Sequence, residues 1–138
     1  MACIFCDIVK HKHEQSKFII HQDNDCTVFM DHIQQNPGHV LIVPNKHIRN
    51  IYSLKEDLAG ELFKLVTRYA KKVKKVFKVD GIDIYQCNGK AADQSVFHLH
   101  LHIFPRKKKD GLFCIYGNKE PNWEDFDQIL KYKKKLMK

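Results

Sequence analysis

Residues 97–104 read Phe-His-Leu-His-Leu-His-Ile-Phe, and this alternation constrains the chain more than any other stretch. On a helix, side chains two apart point well away from each other; on an extended chain they share a face. The segment is therefore predicted to be a strand. Phe97, Leu99, Leu101 and Ile103 line one face, the ordinary face of a half-buried strand packed on a core. His98, His100 and His102 line the other. Three imidazoles at every second residue lie close enough to share a metal ion, a proton or an anionic group, and near neutral pH each can donate, accept or attack. A surface strand that merely carries histidine is the plainer reading. It fits poorly, because stacked imidazoles repel once charged.

The rest of the sequence supplies the layers such a strand needs. Cys3 to about Lys10 reads as a short helix, with Ile4, Phe5, Ile8 and Val9 on one side. Lys17 to Gln22 and Cys26 to Met30 are β-rich runs, joined as a hairpin by the turn residues Asp23-Asn24-Asp25. Asn36-Pro37-Gly38 is a further turn, and His39 to Val43 a buried strand stopped by Pro44. Ser53-Leu54-Lys55-Glu56 has the form of a capping box. Behind it Leu58, Leu62, Leu65, Val66, Tyr69, Val73, Val76 and Phe77 recur at threes and fours, predicting a long amphipathic helix to about Lys78, ended by Asp80-Gly81. Ile82 to Gln86 reads as a strand and residues 88–93 as a loop feeding the histidine strand. Residues 106–111 are turn-like, and Pro121, Asn122 and Trp123 open a terminal helix through about Leu136. No repeat or linker interrupts this. The expectation is one α+β domain over 1–138, antiparallel strands with a helix packed on one face. Its core is residues 3–106, and 107–138 form a variable extension ending in a basic helix.

Composition narrows the function classes. No apolar run approaches the roughly 20 residues of a membrane span. The opening Met1-Ala2-Cys3-Ile4-Phe5-Cys6-Asp7 lacks a basic stretch followed by an apolar one, so it does not read as a signal peptide. A cytoplasmic protein is expected, also nuclear if the source is eukaryotic, and a membrane partner is not. Five cysteines in a domain of 138 residues do not suggest a disulfide framework. The formal charge of +8 comes largely from two lysine clusters. One is Lys71, Lys72, Lys74, Lys75 and Lys78; the other is Lys131, Lys133, Lys134, Lys135 and Lys138. A solvated helix face and a basic tail explain these more simply than a nucleic-acid surface, though the excess favours anionic ligands such as phosphates. Cys3-x-x-Cys6 is half of a tetrahedral metal site, with His47 and His98 as candidates for the other half; a redox pair or plain burial are the alternatives.

The run His98-Leu99-His100-Leu101-His102-Ile103-Phe104 resembles the signature of the histidine triad superfamily, His-φ-His-φ-His-φ-φ with φ apolar, at every position. The likeness extends over about Cys3 to Arg106 and is nearest the Hint/Hit branch. It implies a five-stranded antiparallel sheet carrying one long helix, and a two-fold homodimer pairing the long helices and the strands after them. It implies an enzyme that splits purine nucleoside phosphoramidates, AMP or GMP joined to an amine or lysine, through a covalent nucleotidyl-histidine. His100 is then the nucleophile, His102 sits on the phosphate, and His98 and His39 support them. The tautomer of the attacking ring needs a fixed acceptor, for which the carbonyl of His39, its ring, or another neighbouring carbonyl would serve. Ile4, Phe5, Ile8, Phe29 and His32 match positions that hold the base, and Asp31 matches the carboxylate on the ribose.

The stretch Cys87-Asn88-Gly89-Lys90-Ala91-Ala92-Asp93-Gln94-Ser95-Val96-Phe97-His98 is similar to the family's phosphate loop. There Asn88, Gln94 and Ser95 face the phosphate and Ser95 is placed to protonate a leaving nitrogen. Cys87 and Asp93 depart from that pattern, replacing an amide and a glycine. The resemblance also implies a structural zinc on Cys3, Cys6, His47 and His98, and no cofactor for the chemistry itself. A dinucleoside polyphosphate hydrolase of Fhit-like specificity, or a weakly active nucleotide-binding regulator, are the alternative functions.

Overall fold

A computed structural model describes residues 2–112 and 125–138. Five strands form a single antiparallel sheet: β1 (Ile19–Gln22), β2 (Cys26–Met30), β3 (Val40–Pro44), β4 (Gly81–Tyr85) and β5 (Leu101–Arg106), in the order β1-β2-β3-β5-β4. Helix α1 (Ile4–Val9) precedes them, α2 (Glu56–Phe77) joins β3 to β4, and α3 (Phe126–Leu136) follows β5. The α+β class and the five-stranded antiparallel sheet with one long helix are as the sequence implied.

Alternation along the strands sorts side chains into two layers. On one side Cys26, Val28, Val40, Ile42, Leu99 and Ile103 meet Leu62, Leu65, Val66, Tyr69 and Val73 of α2, an i, i+3, i+4 stripe. On the other, Phe29, Leu41 and Val43 meet Phe5 and Ile8 of α1. This second layer carries the histidines. Pairing then sets a row straight across it, because Phe29 is opposite Leu41, Leu41 opposite His102, and His102 opposite Tyr85.

Four local expectations are corrected. Ser53 does not cap α2: it lies in a 3-10 turn at Ile51–Ser53 and its hydroxyl donates to the Asn50 carbonyl, while Lys55 holds the N-cap position without a side-chain hydrogen bond. The helix ends where Lys78 turns left-handed (φ 53°), before Asp80-Gly81 is reached. Val76 is 67 % exposed, on the outer side of α2. Strand β5 begins at Leu101, so His98 and His100 precede its first ladder bond. The predicted opening of the terminal helix at Pro121, Asn122 and Trp123 lies outside the described residues. Among the described residues, no helix is long and apolar enough to cross a membrane.

Candidate active site

The α1 side of the sheet opens into a cleft of about 290 Å³. His100 and His102 form its base; Phe29, Asp31, His39, Leu41, Tyr85 and Phe104 continue that surface, Ile4 and Phe5 arrive from α1, and Ser95 and His32 stand at the rim. Phe5 presents an edge to His100 at a centroid distance of 5.0 Å. Ile8 lies beneath, fully buried against Phe5 and Phe29, so of the expected base-holding residues it supports the floor without lining it.

Hydrogen bonds fix the imidazole tautomers, since a carbonyl can only accept. His100 Nδ1 donates to the His98 carbonyl at 2.8 Å. The acceptor is therefore the carbonyl of His98, two residues back, and not that of His39. Its Nε2 is left as the nitrogen with a lone pair. His39 Nδ1 donates to the Ile33 carbonyl at 3.1 Å, so its Nε2 accepts from His102 Nδ1 at 2.9 Å. Asp31 lies behind this pair, with Oδ2 3.7 Å from His39 Nε2. His102 is also stacked nearly parallel to Tyr85, with centroids 4.1 Å apart.

Burial keeps these rings neutral, because removing water penalises the charged form. His100 and His39 titrate below the ordinary histidine value for this reason. His102 is pushed down to about 3 by burial, with His100 and His39 adding to the effect. The cleft thus offers neutral imidazole nitrogens to an incoming group. A bound anion reverses part of the penalty and lets a proton reside on His102.

His98 is turned away from the cleft. Its ring is fully buried, its Nε2 donates to the Pro44 carbonyl at 2.8 Å, and its Nδ1 lies 3.4 Å from Cys3 Sγ and 3.5 Å from Cys6 Sγ. His47 Nδ1 is 3.4 Å from Cys6 Sγ. Sulfur and nitrogen ligands of a tetrahedral zinc, at ordinary bond lengths, stand about 3.5 Å apart. The four groups fit such an ion. Donation by His98 Nε2 to a carbonyl also leaves Nδ1 as the available lone pair, the usual support for a metal-bound imidazole. Without a cation, burial and the neighbouring Cys3 push the Cys6 thiol up to about 11. Cys3 also caps α1, its sulfur accepting from Cys6 N–H.

Two expected phosphate-loop residues are engaged elsewhere. Gln94 is buried: its Nε2 donates to the Arg49 and Val96 carbonyls and its Oε1 accepts from Gly89 N–H. Asn88 exchanges hydrogen bonds with Gln86 and accepts from Ile51 N–H. Neither lines the cleft. Both shape the loop that delivers Ser95. Asp93 is in the left-handed conformation, with φ 63°, which aspartate tolerates better than most residues. Tyr85, Phe104 and Leu41 were not singled out from sequence; the row opposite His102 that places two of them is a matter of strand register.

The HIT domain family model matches residues 12–109. The chain belongs to the HIT domain family. This HIT protein is 31 % identical over 137 residues to adenosine 5'-monophosphoramidase HNT1 of Saccharomyces cerevisiae, covering 99 % of this chain and 81 % of the yeast protein. Its fold matches the crystal structure of a HIT family member from Bacillus subtilis with a TM-score of 0.87 at 29 % identity, over 99 % of this chain and 96 % of that one. It also matches a Zn-bound histidine triad family protein from Mycobacterium smegmatis, with a TM-score of 0.75 at 28 % identity, over 88 % and 85 % of the two chains.

Proposed function

We propose that this HIT protein hydrolyses purine nucleoside phosphoramidates through a nucleotidyl-His100 intermediate. The observation that carries the reading is the hydrogen bond from His100 Nδ1 to the His98 carbonyl, which leaves an unprotonated Nε2 in a cleft that also holds His102, Asp31 and Ser95. In the first step Nε2 attacks phosphorus, a P–N bond to the ring forms and the P–N bond to the amine breaks. The leaving nitrogen takes a proton from the Ser95 hydroxyl, which regains one from solvent, and the water that attacks next releases its proton to solvent in turn. Water then attacks the nucleotidyl-histidine, His100 leaves, and the nucleoside monophosphate is released. His102, held by His39, stabilises charge on the phosphoryl oxygens. Asp31 accepts from the ribose hydroxyls, and Ile4, Phe5, Phe29 and His32 enclose the base. The name of the yeast relative supports the P–N bond as the target.

Turnover of a fluorogenic adenosine phosphoramidate, with diadenosine tetraphosphate alongside, tests this. The wild type is expected to prefer the phosphoramidate, and His100→Ala to lose at least a thousandfold in kcat while still binding AMP. Preference for the tetraphosphate would instead favour the Fhit-like activity. Binding of AMP without cleavage of either would favour a nucleotide-binding regulator.

Cys3, Cys6, His47 and His98 would hold a structural zinc, tying α1 to the segment that leads into β5. Held there, such an ion would supply a cross-link between those segments, away from the cleft that contains His100 and His102. Chelator treatment is expected to lower the melting temperature, and Cys3→Ser to abolish that response. Full zinc retention by Cys3→Ser would reject the site.

A further inference from the structure

We infer that Gln34 is the positioning residue that holds Asp31 and His39 in register with His102, an inference that rests on the phosphoramidase reading for its kinetic consequence and on geometry alone for its structural one. Asp31 directly follows β2 and His39 directly precedes β3, and the seven residues between them form a loop closed by Asp31 N–H donating to the His39 carbonyl at 3.0 Å. A loop of that length has many ways to close. Gln34 selects one of them. Its Nε2 donates to the Asp31 carbonyl at 2.6 Å and to the His39 carbonyl at 2.9 Å, while its Oε1 accepts from Gly38 N–H at 2.9 Å and His39 N–H at 3.2 Å. One planar amide therefore grips both ends of the loop.

The consequence reaches the chemistry through two bonds. The Ile33 carbonyl, beside Gln34, receives the His39 Nδ1 proton, and that bond is what leaves His39 Nε2 to accept from His102. Asp31 Oδ1 accepts from Ile33 N–H in the same loop. Substrate-binding and phosphate-binding groups thus share one support, although Gln34 itself does not line the cleft. Both amide faces are needed: the carbonyl face orients two buried N–H groups, and the amino face draws Asp31 towards His39.

The test compares wild type, Gln34→Ala and Gln34→Glu by ring-nitrogen NMR of the histidines and by steady-state kinetics on adenosine phosphoramidate. In the wild type, His39 and His102 are both expected as Nδ1–H tautomers. Gln34→Ala should mix these tautomers, raise KM through Asp31 and lower kcat through His102, for a loss in kcat/KM on the order of tenfold or more. Gln34→Glu keeps the acceptor but turns a second oxygen on two carbonyls, so it should fail to restore either readout. Unchanged histidine tautomers in Gln34→Ala, with only a lower melting temperature, would overturn the inference; so would full rescue by Glu. The NMR arm decides even if the wild type proves inactive on the phosphoramidate, so failure of the functional reading is seen separately.

Discussion

At the scale of single residues, the site works by denying protons to its imidazoles. His98 and His102 are pushed down to about 4 and about 3, chiefly by burial, from an ordinary value of 6.5. Two consequences follow with opposite visibility. On the proposed mechanism, His100 titrates below 6.5 and would stay unprotonated in mild acid, so the acid limb of kcat/KM for the phosphoramidate is expected below pH 6.5. For stability of the metal-free protein, the folded chain resists protons that the unfolded chain accepts. This contribution is fully present above about pH 6.5 and is lost as pH falls through 6.5 towards 4, where the unfolded state binds more protons. Urea midpoints measured between pH 7.5 and 4.5 should fall across that window. A midpoint that holds steady, or rises, would show that burial does not govern these rings. How far the site could be read from residues varied in the same physical terms. The triad, Asp31 and His39 were legible because their chemistry is conspicuous at fixed spacing. Gln34 and the carbonyl of His98 were not, since a glutamine and a peptide group act here only through where the backbone has placed them.

At the scale of elements, strand periodicity identified which face each residue takes, but not its neighbours. The alternation over 97–104 correctly put Leu99 and Ile103 in the α2 core and the imidazoles opposite. That Tyr85 stacks on His102 depends on the pairing of β4 with β5, which alternation leaves free. The capping-box reading failed for a related reason: Asn50 caps the 3-10 turn before α2 and draws Ser53 into it, so a local motif lost to a competing local bond. The far end of α2 meets the site loop at Gly38. That glycine has φ 107°, and a Cβ there would lie 2.7 Å from Phe77 Cδ2. Gly38→Ala would combine backbone strain with a clash against a ring, for a loss of about 2–4 kcal/mol. Thermal or urea unfolding measures it. Gly38→Ala within about 0.5 kcal/mol of wild type would mean that the ring of Phe77 moves aside freely.

At the scale of the whole molecule, an apolar surface opens at the margin of the α2 layer. A groove of about 160 Å³ between α2 and the sheet is lined by Ile51, Leu54, Ala59, Leu62, Phe63, Gln86, Leu99 and Leu101, without a titratable group. Ile51, Phe63 and Ile84, on the sheet edge, are about half exposed beside the 83 % exposed Tyr52. Such a surface suits a second copy pairing α2 helices and β4 edges, the homodimer that the family resemblance implies. Phe63→Glu is expected to shift the protein from dimer to monomer in sedimentation; a wild type that sediments as a monomer would dismiss the idea. The sheet order carries a different consequence, one of timing. Strand β5 lies between β3 and β4, yet it is the last of these five strands in chain order. The β1–β2–β3 meander can pair through short turns, but β4 has no sheet to join until β5 arrives, after long loops have closed. The strand that completes the sheet is also the one that brings His100 and His102. Completion of the sheet and assembly of the cleft are thus one event, and in refolding the protection of β4–β5 ladder amides and nucleotide binding should recover at one rate.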